Sequence, residues 1–268
     1  MGPYDNKQQT LQAVRDFWNQ HPLCSHLIDS PPGTEDFFRE FDQMRASIEP
    51  DAFVEQMLAP SKTSGKRVLD VGCGNGYMLA KFARSGTKSF GIDLTAKALD
   101  ITKQRMELSG LSVRLAQADA AALPFADSSF DMVYSLGVLH HSPDTEKSFR
   151  EIHRVLRPGG KIVVMLYNKN SVFFRLRIPA MKFFNPEFRG WSIQEICNYL
   201  DGPGNPLGKF YSRSDVTAIL EGFSTPRFQP FFFSHLHFPG KLDIFPDALC
   251  RFLGRRFGWF LYAKAYKI

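Results

Sequence analysis

The chain has 268 residues, a net charge of +6 and 44% hydrophobic residues, values typical of a soluble globular protein with a sizeable core. Its four cysteines are scattered and form no Cys-x-x-Cys pair, so we expect neither a disulfide framework nor a metal site. Because the sequence shows neither a secretory signal nor an apolar run of about 18 residues, we expect a cytoplasmic protein.

Two amphipathic helices are predicted before the first strand. Residues 8–20 place Leu11, Val14, Phe17 and Trp18 on one stripe, and residues 35–49 repeat the pattern with several phenylalanines. A loop with Pro and Gly joins them. We therefore expect residues 1–60 to form a helical extension that packs on the rest of the chain.

Strands and helices alternate in the middle of the chain, which defines a predicted core at 61–168. Strands are predicted at 66–72, 88–93, 112–118, 130–135 and 161–167, and helices at 76–85, 95–109 and 144–156. This alternation is typical of an α/β fold with a parallel sheet and helices on both faces. Right-handed crossovers would bring the carboxyl ends of the strands to one crevice.

The regular alternation is lost after residue 168. We interpret 169–225 as an insertion or cap with a helix at 212–220, and 226–268 as the last strands (227–234 and 258–266) with a helix near 246–253 between them. Residues 169–268 hold 14 Lys and Arg against 7 Asp and Glu, and 16 of the 26 phenylalanines. This composition suits either core packing with solvated charges, or contact with a membrane surface or RNA.

A glycine-rich turn follows the first predicted strand. Asp70 precedes Gly72, Gly74 and Gly76, and Asp93 ends the second strand. Glycine permits positive φ and a close approach of a ligand to the backbone, and an acid at the next strand end can hold a ribose diol. The alternate spacing differs from the G-x-G-x-x-G of dinucleotide sites, which disfavours a nicotinamide dehydrogenase.

The sequence resembles the class I S-adenosylmethionine-dependent methyltransferases, in particular the small-molecule type 11 branch. The resemblance covers about residues 66–168 and rests on the turn with Asp93 and on five further segments: 117–120, 123–125, 129–135, 138–141 and 156–161. It implies a Rossmann-like sheet of seven mostly parallel strands with an antiparallel last strand. It also implies that the N-terminal helices act as a lid over the carboxyl edge of the sheet.

The resemblance further implies S-adenosyl-L-methionine as cofactor and S-adenosyl-L-homocysteine as product. The glycines would pass beneath its methionine part, Asp93 would accept the ribose hydroxyls, Leu94 would lie on the adenine, and Asp119 would read the adenine edge with the Ala120 amide. Turn or cap roles remain alternatives. The expected cofactor-binding residues are Asp70, Gly72, Gly74, Gly76, Asp93, Leu94, Asp119, Ala120 and Ser135.

Histidines 141 and 140 are the candidate catalytic residues, because an imidazole has a pKa near neutral pH and could take a proton from an acceptor. Helix capping or packing is the alternative for both. His141 is preferred over His140. The candidate substrate-binding residues are Trp18, His21, Tyr167, Tyr211 and Arg213, with simple packing as their alternative.

The leading hypothesis is methyl transfer to an O, N or S atom of a small molecule in a lidded pocket, by a monomer or homodimer. One alternative is a methyltransferase that acts on a lipid-like or quinone-like acceptor at a membrane surface, or on RNA, through the basic, Phe-rich last third. No Asn-Pro-Pro-Tyr motif supports a nucleic-acid partner. A non-catalytic cofactor-binding module is the remaining alternative.

Overall fold

A computed structural model of the chain describes residues 6–22, 27–233 and 246–268. Its centre is one sheet, in the order β3-β2-β1-β4-β5-β8-β7, with the short β6 paired to β5. All strand pairs are parallel except those of β8, which is antiparallel to β5 and β7. The strands are β1 Arg67–Val71, β2 Lys88–Asp93, β3 Arg114–Gln117, β4 Phe130–Leu136, β5 Leu156–Asn168, β6 Phe210–Tyr211, β7 Arg227–Phe231 and β8 Phe260–Tyr266.

The predicted Rossmann-like α/β class and the antiparallel last strand are confirmed. The sheet has one strand more than the expected seven. The additional strand, β6, lies inside the predicted insertion, and its two residues pair with Tyr167 and Asn168 of β5. Strand β5 begins five residues earlier than predicted, because Leu156 pairs with Phe130 across a register shift. A strand as short as β6, with two residues, carries too weak a periodic signal to be recognised from the sequence.

Ten α-helices are present in the described residues. They are α1 Lys7–Gln20, α2 Glu35–Ile48, α3 Asp51–Met57, α4 Tyr77–Arg84, α5 Ala96–Leu108, α6 Thr145–Val155, α7 Ile178–Phe184, α8 Ile193–Asp201, α9 Arg213–Ile219 and α10 Asp247–Phe257. Thr95 caps α5 by accepting from the amide of Ala98. The predicted loop between α1 and α2 includes residues 23–26, and the predicted strand at 227–234 includes residue 234, all outside the described ranges.

Each face of the sheet carries its own hydrophobic core. On one face α6 and α9 contribute Phe149, Ile152 and Val216. On the other face α2, α3 and α4 contribute a cluster with Phe37, Phe41, Phe53 and Phe82, which packs on Tyr134 of β4. The N-terminal helices are therefore part of the core packing.

The segment between β5 and β6, which we call the cap, is more regular than its sequence pattern indicates. A π-helical turn at Phe173–Arg177 leads directly into α7, and Ser192 and Glu195 form a capping box that starts α8. Its own core is small and centres on Phe173, Ile178, Phe188, Ile196 and Cys197. Across the described ranges, no helix has both the length and the apolar character needed to span a membrane.

Candidate active site

Backbone hydrogen bonds hold the glycine turn against the end of β2. The amides of Gly72 and Cys73 both donate to the carbonyl of Ile92, at 2.8 and 2.9 Å. Gly72 has a φ of +81°, and a Cβ there would lie 2.4 Å from Cγ2 of Val138. A side chain is therefore excluded both by conformation and by space. The turn leaves the backbone of Gly72 and Gly74 exposed to the adjacent cavity.

Asp93 joins the turn to the second strand end. Its Oδ2 accepts from the amide of Gly74 at 3.0 Å, and its Oδ1 accepts from the amide and hydroxyl of Thr95, both at 2.9 Å. Burial raises the pKa of this carboxyl, and hydrogen bonds from Thr95, Gly74 and Leu94 partly offset the rise. Asp93 also lines the adjacent cavity, where a ligand could reach its carboxylate.

Asp70, Gly76 and Ser135 lie beneath the turn and do not line the cavity. Asp70 is 4% exposed, and burial, with a further contribution from Asp93, raises its pKa to about 8 despite the opposing effect of the Tyr134 hydroxyl. The hydroxyl of Ser135 donates to the carbonyl of Val71 at 2.8 Å. Gly76, with a φ of +77°, starts α4 beside Thr102 and Met106. In this structure these three residues support the turn from behind.

A cavity of about 790 Å³ extends from the glycine turn to the cap. Its lining is mainly apolar, with contributions from α1, the strand ends of β1, β2, β4 and β5, and the end of α8. Ten of the expected site residues line it: Trp18, His21, Gly72, Gly74, Asp93, Leu94, Asp119, Ala120, His141 and Tyr167. Asp119 also accepts from the amide of Ala121 at 3.0 Å, so it has a turn role in addition to its place in the wall.

Besides Asp70, Gly76 and Ser135, three more of the expected residues lie outside this cavity. The hydroxyl of buried Tyr211 donates to the Thr145 hydroxyl at 3.0 Å, and burial raises its pKa to about 12. Arg213 is an exposed residue at the start of α9, 6.0 Å from the ring centre of Phe228. His140 is fully buried, and burial together with neighbouring His141 lowers its pKa well below the usual value. Its ring lies 3.9 Å from that of Tyr167.

His141 is held by the cap on both of its ring nitrogens. Nδ1 donates to the carbonyl oxygen of Leu207, and Nε2 lies 3.2 Å from Oδ2 of Asp201. The hydroxyl of Tyr167 donates to Oδ1 of the same carboxylate, and the Asn205 amide donates to Oδ2 at 2.7 Å. Asp201 and its partners thus form a polar cluster in an otherwise apolar wall.

The first helix, α1, contributes aromatic side chains to the cavity lining. The Trp18 ring meets the His141 ring edge-on at 5.0 Å, and Phe17 stacks on His21 at 4.6 Å. His21 also bonds through Nδ1 to the carbonyl of Phe17 at 3.0 Å, which ends α1. Helix α1 therefore contributes an aromatic wall directly over the polar cluster.

Sequence reasoning missed two charged residues of the wall, Asp201 and Arg45. Asp201 is the last residue of α8, and nothing in the sequence links it to His141, 60 residues earlier. Arg45 is the only Lys or Arg in the described lining, and it pairs with buried Glu49, which also accepts from the Tyr262 hydroxyl.

The residues present fit S-adenosylmethionine. Gly72 provides a surface without a side chain, Asp93 offers a carboxylate in the cavity wall for the ribose, and Leu94 and Ile92 provide an apolar wall for a purine. Arg45 supplies a positive charge for a carboxylate. Among the described residues, no group of three or more His, Cys, Asp or Glu side chains is arranged to hold a metal ion.

Comparisons with known proteins agree with this geometry. The family model described as "Methyltransferase domain" matches residues 69–164. Methyltransferase GfsG from Streptomyces halstedii is 39% identical over 140 residues, which are 51% of this chain and 50% of that protein. A ubiquinone biosynthesis O-methyltransferase from Pseudomonas fluorescens (strain SBW25) is 33% identical over 174 residues, 57% of this chain and 75% of that protein. The chain thus spans half the length of the first relative and three quarters of the second.

Solved structures show the same architecture. The magnesium protoporphyrin IX methyltransferase from Synechocystis PCC 6803, solved with bound S-adenosylhomocysteine, superposes with a TM-score of 0.62. The match covers 96% of this chain and 99% of that chain at 17% identity. A likeness at this identity shows a shared fold.

Proposed function

Because the chain belongs to the class I S-adenosylmethionine-dependent methyltransferases, type 11 branch, we propose that it transfers a methyl group from S-adenosylmethionine to a small, largely apolar molecule. The acceptor would occupy the part of the cavity beside Trp18 and the polar cluster. The methyl group would go to an O, N or S atom of that molecule. The aqueous cytoplasm is the expected location.

The observation that carries this proposal is one continuous cavity with two distinct ends. The glycine turn and Asp93 lie at one end, and His141, Tyr167 and Asp201 lie at the other. Its volume of about 790 Å³ is at the upper part of the usual range for small-molecule sites, which is about 300–1,000 Å³. A cofactor and a modest acceptor could therefore share it.

Each end would have a separate task. When bound, S-adenosylmethionine supplies an activated methyl group on a positively charged sulfur. Asp93 would hold the ribose, Asp119 and Ala120 the adenine edge, and Arg45 the carboxylate. Trp18 and the rest of α1 would exclude water and hold the acceptor in line, which is the main requirement of a methyl transfer.

We propose His141 as the proton acceptor, although its contacts with the cap restrict how it could take a proton. Both of its nitrogens are engaged by the cap, so an acceptor hydroxyl would have to replace Asp201 at Nε2, or give its proton to the Asp201 carboxylate instead. An amine or thiolate acceptor would not need this step. His140, buried behind the Tyr167 ring, would act only by packing.

Transfer of a radioactive methyl group tests the proposal. The protein is incubated with methyl-labelled S-adenosylmethionine and a panel of phenols, amines and thiols, and the products are separated by mass. We expect label in a low-molecular-mass product, abolished in Asp93→Ala and unchanged in Asp100→Asn, an exposed acid on α5. Label found only in added RNA would favour the RNA alternative, and the absence of transfer alongside cofactor binding would favour a non-catalytic module.

A further inference from the structure

Two segments of the chain expose large apolar side chains among basic residues. We define the apolar–basic face by Leu176, Phe183 and Phe184 of the cap and by Phe252 and Phe257 of α10. We propose that this face binds the surface of an anionic lipid bilayer. The proposal goes beyond methyl transfer, because it concerns where the protein acts and not what it does there.

The exposure on the cap is unusually high for side chains of this kind. Leu176 is 64% exposed, Phe183 75% and Phe184 77%, although the neighbouring Phe173 and Ile178 are buried. Leu176 precedes Phe183 by seven residues, about two helical turns, so the exposed residues share one side of the segment. Clustered exposed aromatics of this size mark an interaction site rather than ordinary surface.

Helix α10 repeats the same features. Phe252 is 58% exposed and Phe257 43%, and Arg251, Arg255 and Arg256 are exposed beside them. Leu249 of α10 is also exposed. With it, the cap segment and α10 hold six of the ten exposed large hydrophobic residues found among the described residues. The concentration in two short segments argues against a random scatter of apolar surface.

The cap segment and α10 both adjoin the edge of the sheet where β5 ends and β8 begins. Trp259 follows α10, and its ring centre lies 4.1 Å from that of Phe173, the first residue of the π-helical turn. The side-chain amide of Asn168, at the end of β5, donates to the carbonyl of Gly258 at 2.8 Å. Tyr167 and Phe260 of the same strand ends line the cavity. The apolar–basic face therefore belongs to the edge that carries the proposed active site.

Charge identifies the partner as anionic. The cap segment 173–184 holds Arg175, Arg177 and Lys182 and no acidic residue, and α10 holds three arginines against one aspartate. A helix that combines exposed Phe or Leu with Lys and Arg lies in the headgroup region of a bilayer, where apolar insertion and attraction to anionic lipids add together. Basic residues near such a surface add to the attraction to anionic lipids.

A second copy of the chain fits this face less well. In a symmetric dimer the same surface meets itself, which would bring two basic faces together without acidic partners. RNA would satisfy the charges, and its bases could stack on the Phe183 and Phe184 rings, but the exposed aliphatic Leu176 offers a base no ring on which to stack. A bilayer satisfies both features at once.

Vesicle co-sedimentation tests the proposal. The full chain is mixed with vesicles of phosphatidylcholine alone or with 30–40% phosphatidylglycerol (roughly the anionic content that gives a strong surface potential), at low and high salt. We expect binding only to the anionic vesicles, weakened at high salt. The double variant Phe183→Ser/Phe184→Ser should bind at least about tenfold more weakly, because it removes two large apolar side chains from the contact with the bilayer.

A matched variant controls for the loss of exposed apolar surface elsewhere. Leu108 at the end of α5 and Ile268 at the chain end are 58% and 82% exposed. Both lie toward the opposite edge of the sheet. Leu108→Ser/Ile268→Ser should bind vesicles as the unaltered protein does. Both variants should keep the unaltered melting temperature and its increase with S-adenosylhomocysteine, which shows that they fold.

Four results would overturn the proposal: no binding to anionic vesicles, equal binding by the Phe183/Phe184 variant, an equal loss in the control variant, or a dimer in solution that the Phe183/Phe184 variant dissociates. The last would assign the face to a second copy. None of these results bears on methyl transfer, which the labelled assay measures without vesicles.

Discussion

Nε2 of His141 lies 3.2 Å from Oδ2 of Asp201, which joins the loop after β4 to the last residue of α8 in the cap. Because the Leu207 carbonyl can only accept, Nδ1 of His141 donates to it. Tyr167 donates to the other oxygen of Asp201. One carboxylate thus connects the cap to two elements of the sheet at the cavity wall.

Asp201→Asn should therefore loosen the cap. An amide has a single acceptor oxygen where the carboxylate receives His141, Tyr167 and Asn205, so at least one buried donor loses its partner. We expect a loss of about 1–3 kcal/mol in the free energy of unfolding, or roughly 2–4 °C in melting temperature for each kcal/mol. Differential scanning calorimetry measures the change.

The control for this variant is Glu187→Gln, which removes an exposed acid from the same cap. Its melting temperature should match that of the unaltered protein. If Asp201→Asn were as stable as Glu187→Gln, the carboxylate would not hold the cap.

Gly72→Ala should destabilise the chain more than Gly65→Ala. Both glycines have positive φ, +81° and +74°, so both substitutions cost about 1–2 kcal/mol in backbone strain. Only at position 72 would the new methyl group meet Val138, since nothing lies within 4 Å of a Cβ at position 65. We expect about 1–3 kcal/mol of additional loss from overpacking. Urea denaturation of the two variants measures the difference, and equal losses would contradict the proposed clash.

The raised pKa of Asp70 predicts how stability changes with pH. With a folded pKa of about 8 against an ordinary value of 3.8, the folded protein retains a proton that the unfolded chain releases. This contribution is present below about pH 4 and is lost as the pH rises to about 8, at up to about 1.4 kcal/mol per pH unit. Asp70→Asn cannot ionise, so its stability should fall less steeply from pH 5 to 8.

Urea denaturation at several pH values distinguishes the two curves. Asp100→Asn, the same change at an exposed position, should follow the unaltered protein. Parallel curves for Asp70→Asn and the unaltered protein would show that Asp70 is ionised throughout this range.

The parts of the site that lie within one local motif could be predicted from the sequence. The turn at Gly72 and Gly74 and the acid at Asp93 sit at strand ends, where a short pattern fixes both conformation and position. The fold class followed for the same reason, since alternation of strands and helices is a local signal repeated along the chain. Helix α3 gave no such signal, because its seven residues make barely two turns.

Residues that meet only through tertiary packing could not be predicted. Asp201 reaches His141 because α8 folds back over the end of β4, a path set by the hydrophobic core of the cap and not by any spacing in the sequence. Tyr211 and Arg213 show the reverse: their residue types suggested acceptor binding, but β6 and α9 carry them outside the cavity lining. The sequence shows Phe183 and Phe184, but their exposure to solvent could not be predicted from it.

The central claim is that Asp93 and the glycine turn hold S-adenosylmethionine, and isothermal titration with S-adenosylhomocysteine tests it most directly. We expect the unaltered protein and Asp100→Asn to bind equally, and Asp93→Asn to bind at least about tenfold more weakly, because a charged hydrogen bond contributes about 1.5–3 kcal/mol. Equal affinity of Asp93→Asn and the unaltered protein would contradict the account.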